Sequence, residues 1–354
     1  MREDKNNVLV VGTGTIGEPL IALLSRMKKS MGIDEVIFQK RTPLVHERPK
    51  VNSLVKMGAK LSVEEDCVED FEKLGHTPNY TFQEAISKAK VIVDCTPAGN
   101  LNKKNIYEKY SQKTFIAQGS EKGFGVPYAL GVNDNALGDK EEKYIQVVSC
   151  NTHAIARILT CLSRGLVPRV IYGDFVCLRR SNDVSQDGGF VPSVACGKHD
   201  DDYFGTHHAR DVNDLFDYKY SLPIFSSAVK TNTQYMHTVR FSVTLDEEVD
   251  REEIFKRLEA DKYVALTKKK TTNKVFSYGR DHGFYGRIYS QTVICEPTLF
   301  AKSYGDASRV TGFAYTPQDG NSLMSSVSSV LYGLYGSDYS AYLSNLDELL
   351  VNEV

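Results

Sequence analysis

The sequence predicts an α/β protein of two domains. A doubly wound parallel sheet occupies residues 1–149, a second α+β domain on a mostly antiparallel sheet occupies 150–315, and a helical segment, 316–354, packs back on the first domain. Three observations predict this. Up to residue 149, short apolar runs without polar alternation exchange with amphipathic stretches, the pattern of parallel strands covered on both faces by helices. Beyond residue 150, a single helical stretch is followed by longer β-rich ones, the segregation expected of an α+β unit. The length of 354 residues suits two domains at roughly 100–200 residues each.

In the first domain the strands are expected at 8–11, 35–38, 91–95, 115–117 and 145–149, and the helices at 18–29, 64–74, 82–88 and 103–110. In the second, a helix over 150–164 precedes β-rich stretches at 169–178, 220–229, 237–245 and 287–300. The tail has helical spacing at Leu323, Val327, Val330, Leu331, Leu334 and Leu343, weakened by Gly333 and Gly336. Two polar stretches, 181–189 and 268–270, read as solvated and functionally quiet loops.

Hydrophobic residues make up 41% and charged residues 25% of the chain, the balance of a soluble globular protein. Its 43 basic and 45 acidic side chains leave a formal charge of −2, which gives no basic field for nucleic acid or anionic lipid. No apolar run approaches the roughly 18–20 residues that span a bilayer. The charged amino terminus has no signal-peptide core, so a cytoplasmic protein without nucleic-acid or membrane partners is expected. Seven cysteines lie scattered without any C-x-x-C pair, which argues against a disulfide framework and a metal site. Most are expected to be buried small hydrophobes.

Gly12-Thr13-Gly14-Thr15-Ile16-Gly17 is G-x-G-x-x-G at the junction of the first strand and first helix. In that position Gly12 permits the tight turn, Gly14 lets the backbone approach a pyrophosphate and Gly17 allows close helix–strand packing. The helix amino terminus, from Thr15 and Ile16 onward, presents unpaired N–H groups to the anion. The context predicts a Rossmann-type dinucleotide site. The second strand ends in Gln39-Lys40-Arg41-Thr42 and shows no carboxylate to accept from an adenosine ribose. Lys40 and Arg41 suit a 2′-phosphate instead, so NADP is expected ahead of NAD.

Ser149-Cys150-Asn151-Thr152 follows an apolar strand and opens the next helix. A thiol there sits in the positive end of the helix dipole beside unpaired N–H groups, which lowers a cysteine pKa from about 8.5 toward neutrality and supplies oxyanion donors. Cys150 is the candidate nucleophile. For an arbitrary cysteine the alternative is a small residue beside an N-cap, with Ser149 or Asn151 as the cap.

These elements, with His207-His208-Ala209-Arg210-Asp211-Val212 further on, resemble the archaeal-type (class II) glyceraldehyde-3-phosphate dehydrogenases over nearly the whole chain. Further matches are Asp94-Cys95-Thr96-Pro97-Ala98-Gly99, Gln118-Gly119-Ser120-Glu121-Lys122 and Leu178-Arg179-Arg180. The resemblance implies oxidation of glyceraldehyde 3-phosphate with inorganic phosphate and NAD(P) to 1,3-bisphosphoglycerate, or the reverse, in glycolysis or gluconeogenesis. It also implies a thioester on Cys150 and a homotetramer. Among eight histidines, His237 in Gln234-Tyr235-Met236-His237-Thr238 is similar to the family's base, with His153 as a rival whose plainer reading is a helix-surface residue. The resemblance points to Ser149, Asn151, Thr152, His207, His208 and Arg179 for substrate and phosphate. For the cofactor it points to Ser120, Arg180 and Asn321 beside the glycine loop. The stretch between Leu178 and His207 departs from the family, carrying the polar residues 181–189 and Asp200-Asp201-Asp202, so a remodelled substrate-side loop is expected there. A related aldehyde or aspartate-semialdehyde dehydrogenase, and a non-catalytic dinucleotide-binding regulator, are the alternatives.

Overall fold

The computed structural model describes residues 5–119, 121–138, 142–184, 186, 188–216, 218, 220–317 and 319–354. The chain divides into two compact units. One holds Met1–Leu130, Asp134–Val147 and Leu323–Asp347; the other holds Gly131–Asn133, Val148–Ser322 and Glu348–Val354.

The first unit is built on strands β1 (Asn7–Val11), β2 (Glu35–Gln39), β3 (Lys60–Val63), β4 (Tyr80–Thr81), β5 (Val91–Asp94), β6 (Thr114–Gln118), β7 (Val126–Tyr128) and β8 (Tyr144–Val147). They form one eight-stranded sheet in the order β4-β3-β2-β1-β5-β6-β8-β7, and every pairing in it is parallel. Parallel strands need crossovers. Helices α1 (Gly17–Met27), α2 (Arg48–Lys56), α3 (Val68–Lys73), α4 (Phe82–Lys88) and α5 (Gly99–Asn105) lie between consecutive strands. Val8, Leu9, Val10, Ile37, Phe38, Ile92 and Val93 are fully buried, which is why these strands read as unbroken apolar runs. Helix α4 starts at a capping box in which the Thr81 side chain accepts from the Glu84 N–H and Glu84 accepts from the Thr81 N–H. The stretch expected as one helix at 64–74 begins instead with a 3-10 turn, Glu65–Cys67.

The second unit opens with α6 (Cys150–Leu162) and continues through β9 (Val170–Arg179), β10 (Ala195–Cys196), α7 (His207–Asn213), β11 (Ile224–Lys230), β12 (His237–Leu245), α8 (Arg251–Glu259), β13 (Val264–Thr267), α9 (Thr272–His282), β14 (Thr292–Cys295), β15 (Phe300–Tyr304) and β16 (Ala307–Thr316). Its sheet runs β10-β11-β9-β12-β16-β14-β13, with β15 also on β16. The β11–β9 and β13–β14 pairs are parallel and the others antiparallel, so the sheet is mixed. Along β12 buried and half-buried residues alternate, the signature of a sheet with one covered face. Together the two units make a Rossmann-like α/β fold of two domains.

Helix α6 is buried almost throughout, and two arginines, one of its own and one from α8, tie it to its surroundings. Arg157 of α6 donates to Gln291 Oε1 (2.8 Å) and to the Asp261 carboxylate (3.0 Å). Arg257 of α8 donates to the Leu162 carbonyl at the helix end and is paired with Glu247 (2.7 Å). Helices α10 (Leu323–Tyr335) and α11 (Tyr339–Leu343) then belong to the first unit, where Gly333 lets α10 lie against Val91 and Thr114. The segment expected to pack as a whole on the first domain is thus divided. Residues 316–322 stay with the second unit, and the last residues return to it through the Val354 N–H, which donates to the Leu266 carbonyl (2.9 Å).

Candidate functional site

The glycine loop fits a dinucleotide by its own backbone. Gly12 has φ +93°, and a Cβ there would stand 3.0 Å from Thr96 Cγ2. A Cβ at Gly17 would stand 2.1 Å from the Gly12 carbonyl oxygen, whereas one at Gly14 would meet nothing within 4 Å. Two of the glycines therefore close the turn, and the third leaves open space where a pyrophosphate must approach. Ile16 is the N-cap of α1 and provides no side-chain cap. Thr15 lies between Gly14 and that cap, at the mouth of the loop.

Thr96, which lines Gly12, is fixed by the buried Asp94 at the end of β5. That carboxylate accepts from the Thr96 N–H (2.9 Å) and hydroxyl (2.6 Å), Asn102 Nδ2 (2.7 Å) and the Tyr107 hydroxyl (2.7 Å). The Asp94-to-Gly99 motif is in this way a brace for the glycine loop, a role that needs Asn102 and Tyr107 and was not visible from the motif itself. Ser120, expected near the cofactor, lies outside the described residues.

Arg41 is exposed at the end of β2, whereas Lys40 is buried and paired at 2.5 Å with Glu47. The strand itself carries no carboxylate at its end, but the 3-10 turn Val45–Glu47 brings one there.

In the second unit Cys150 is the first residue of α6, with Ser149 as N-cap. The Ser149 hydroxyl accepts from the Thr152 N–H (3.4 Å) and meets the Thr152 hydroxyl at 2.8 Å. The expected lowering of the thiol pKa is not what this setting gives. Burial pushes the Cys150 thiol up to about 11, against the pull of Arg180, Arg179 and the Asn151 N–H and with a further push from Asp319. Desolvation of a thiolate outweighs one helix terminus.

His237, at the start of β12, accepts the Arg180 backbone N–H at Nδ1 (2.9 Å). Burial, with Arg180, Arg179 and His208 nearby, holds this ring well below the ordinary histidine range. A neutral ring whose Nδ1 accepts carries its proton on Nε2. His237 is thus set as a donor at Nε2, whereas the base expected from the sequence requires the other tautomer.

His208 is buried, and both its nitrogens are engaged, Nε2 by Asn151 Nδ2 (3.3 Å) and Nδ1 by the Thr206 hydroxyl (3.0 Å). It has no donor left for a phosphate, and its role is to orient Asn151, whose Oδ1 accepts from Thr316 (3.4 Å). Asn151 and Thr152, expected beside the reacting carbon, are likewise buried and turned to protein partners. His207 is half-buried and stacks on His208 with centroids 4.0 Å apart. His153 is fully buried, not on a helix surface, with Nδ1 against the Ser149 carbonyl (3.0 Å).

The two arginines differ sharply. Arg179 is exposed, forms no ion pair among the described residues, and its charge is felt by Cys150, His207, His208 and His237. Arg180 is buried and paired with Asp183 (2.5 Å) and Asp319 (3.2 Å), so the cation expected at the cofactor already has partners inside the protein, while its charge still reaches Cys150 and His237. Asp183 comes from the stretch that the sequence marks as quiet, and Asp319 carried no sequence signal. Asn321 donates from Nδ2 to the carbonyls of Cys150 (2.9 Å) and Gln291 (3.0 Å), while its buried Oδ1 has no partner. Gln291 in turn accepts from Arg157, so one chain of hydrogen bonds fixes the backbone of Cys150.

All seven cysteines are free thiols; Cys161, Cys177 and Cys295 are buried, Cys67, Cys95 and Cys150 intermediate, and Cys196 is exposed. No group of metal-ligating side chains is found among the described residues. Among them, no helix is long and apolar enough to cross a membrane.

With this geometry in view, comparison with known proteins is informative. No family model matches the chain. The chain is similar to proteins named glyceraldehyde-3-phosphate dehydrogenase. It is 27% identical over 303 residues to the one from Sulfolobus acidocaldarius, covering 84% of each chain. It is 27% identical over 275 residues to that from Saccharolobus islandicus, covering 75% of this chain and 74% of the relative. The Metallosphaera sedula protein of that name is 28% identical over 238 residues, 64% of this chain and 66% of its own.

Proposed function

We propose that the chain is a phosphorylating glyceraldehyde-3-phosphate dehydrogenase of the archaeal (class II) type. It would convert D-glyceraldehyde 3-phosphate, phosphate and NAD(P)+ to 1,3-bisphosphoglycerate and NAD(P)H, with NADP preferred. The observation that carries this reading is Cys150 at the first position of α6, under the charges of Arg179 and Arg180 and tied through its carbonyl to Asn321. The similarity to enzymes of that name and the fit of the glycine loop to a dinucleotide support it.

Bound at that loop, the dinucleotide supplies a hydride acceptor. The chain's own residues do the rest. Cys150 Sγ adds to the aldehyde carbon, and the thiol proton is balanced on the carbonyl oxygen of the thiohemiacetal. His237, as an Nε2–H donor, stabilises that oxygen rather than removing the thiol proton. Loss of the carbon-bound hydrogen as hydride to the dinucleotide and of the hydroxyl proton to water would leave a thioester on Cys150, and a phosphate oxygen would then form the new C–O bond as the C–S bond breaks and the thiolate leaves. Arg179, exposed and without an ion pair among the described residues, is the cation offered to phosphate, with His207 beside it. The orphaned Asn321 Oδ1 is an acceptor for an amide donor such as the nicotinamide carboxamide.

The test is the appearance of reduced nicotinamide with glyceraldehyde 3-phosphate, with and without phosphate or arsenate, using NADP and NAD in parallel. Phosphate-dependent reduction that favours NADP is expected. Phosphate-independent turnover would refute the phosphorylating reaction, and oxidation of aspartate semialdehyde in its place would assign the other dehydrogenase.

A further inference from the structure

Beside the glycine loop lies a cluster that the strand-end reading of the cofactor does not include. Glu47 sits between two lysines, 2.5 Å from Lys40 Nζ and 2.7 Å from Lys50 Nζ. Lys50 also donates to the Thr13 carbonyl inside the loop (3.3 Å) and lies 3.8 Å from Glu18 at the start of α1. The end of β2 is tied to the same loop, since the Gly12 N–H donates to the Gln39 carbonyl (3.2 Å). Loop, strand end, 3-10 turn and the start of α2 are therefore one connected cluster, in which Glu47 is the carboxylate that bridges both lysines while Glu18 lies beside Lys50 and Glu64 accepts from Gln39 (3.5 Å).

We infer that Glu47 limits how strongly this unit prefers NADP over NAD, and that Lys50 is a further phosphate-binding residue. This rests on the reading above that the unit binds a nicotinamide dinucleotide. A carboxylate near the end of the second strand is the group that accepts from a ribose 2′-hydroxyl, and Glu47 supplies from the turn what the strand lacks. The same carboxylate neutralises one of the two lysine charges that a 2′-phosphate needs. A 2′-phosphate must therefore take Lys40 and Lys50 away from Glu47, whereas a 2′-hydroxyl can use Glu47 as it stands. The pairing holds this carboxyl in its charged form: burial raises it, yet hydrogen bonds from Lys40 and Lys50 bring it below the ordinary range. Arg41, exposed next to Lys40, forms no ion pair among the described residues, although Glu64 feels its charge, and adds to the attraction for phosphate without deciding the choice.

The test is equilibrium binding, by calorimetry, of NADP+ and NAD+, and of the fragments adenosine 2′,5′-bisphosphate and adenosine 5′-monophosphate, to the full chain. Glu47→Gln should tighten NADP+ and the bisphosphate several-fold and weaken NAD+, moving the ratio of dissociation constants by about tenfold. Lys50→Gln should move it the other way, weakening the bisphosphate several-fold and leaving the monophosphate nearly unchanged. Because Glu47→Gln also removes an internal pair, its thermal unfolding is followed in parallel; if it does not fold, Lys50→Gln alone decides. Equal changes for the phosphorylated and unphosphorylated ligands would overturn the inference and leave the dinucleotide reading standing. Binding of neither dinucleotide to the unaltered protein would overturn both.

Discussion

The two units carry their candidate chemistry in different materials. In the parallel-sheet unit the loop is backbone: Gly12 at φ +93°, Gly14 facing open space and Gly17 against the Gly12 carbonyl, all within six consecutive residues. In the mixed-sheet unit the site is side chains brought from α6, the end of β9, α7, the start of β12 and the stretch after β16, so that Cys150, Arg180, His208, His237, Asp319 and Asn321 depend on one another across the sheet. A backbone site is robust to side-chain change but fails when a Cβ enters it. A side-chain network fails one atom at a time.

The sharpest way to separate the two is Cys150→Ser. It should lower turnover by on the order of 10³-fold or more, roughly 4 kcal/mol in the barrier. Dinucleotide binding to the first unit should stay within about twofold by calorimetry. A parallel loss of binding would mean that Cys150 itself contributes to holding the dinucleotide. Next in size, Gly17→Ala should destabilise the first unit by about 1–3 kcal/mol through overpacking against the Gly12 carbonyl. Gly14→Ala should unfold at the unaltered temperature yet lose dinucleotide affinity, because its methyl fills space the protein itself leaves empty. If Gly14→Ala bound as before, the loop would not be where a pyrophosphate lies.

The same contrast explains what was legible in the sequence. The glycine loop and the Cys150 helix start are local, so spacing and context were enough to find them. Strands such as β1 and β5 were legible because burial on both faces leaves Val8–Val11 and Val91–Val93 unbroken apolar runs, with a polar residue only at one end of each strand, Asn7 and Asp94. Helix α2 and strand β3 were not, because α2 buries only Val51 and Leu54 and β3 carries Lys60 and Ser62 among its apolar residues. Helices α8 and α9 were missed for the same reason: each buries two or three residues on an otherwise charged surface. In the site, His237 was found through resemblance, but its tautomer comes from the backbone N–H of a residue 57 positions away. His208 and Arg180 looked like free phosphate ligands because sequence does not show the partners that occupy them. Asp319, Asp183 and Glu47 gave no signal at all, since a carboxylate's role is set by which cation folding brings to it.

The smallest predicted effect probes that network most directly. Asp319 has φ +66°, a left-handed conformation that Asn tolerates almost as readily as Asp, so Asp319→Asn should keep the backbone. The carboxylate pushes the Cys150 thiol up, while Arg180, still held by Asp183, pulls it down. Removing the negative charge leaves the pull and cancels that push, so the thiol pKa should fall. The expected outcome is a downward shift, by a fraction of a pH unit to about one unit, in the midpoint for alkylation of Cys150 by iodoacetamide, from a starting value of about 11. The Cys150-containing peptide is followed by mass spectrometry, with exposed Cys196 as the internal reference. An unmoved midpoint would mean that Asp319 acts on Arg180 alone and that Cys150 is insulated from the arginine–aspartate cluster. An upward shift would mean that Asp319 holds Arg180 where its charge reaches the sulfur, and that this positioning outweighs the carboxylate's own repulsion.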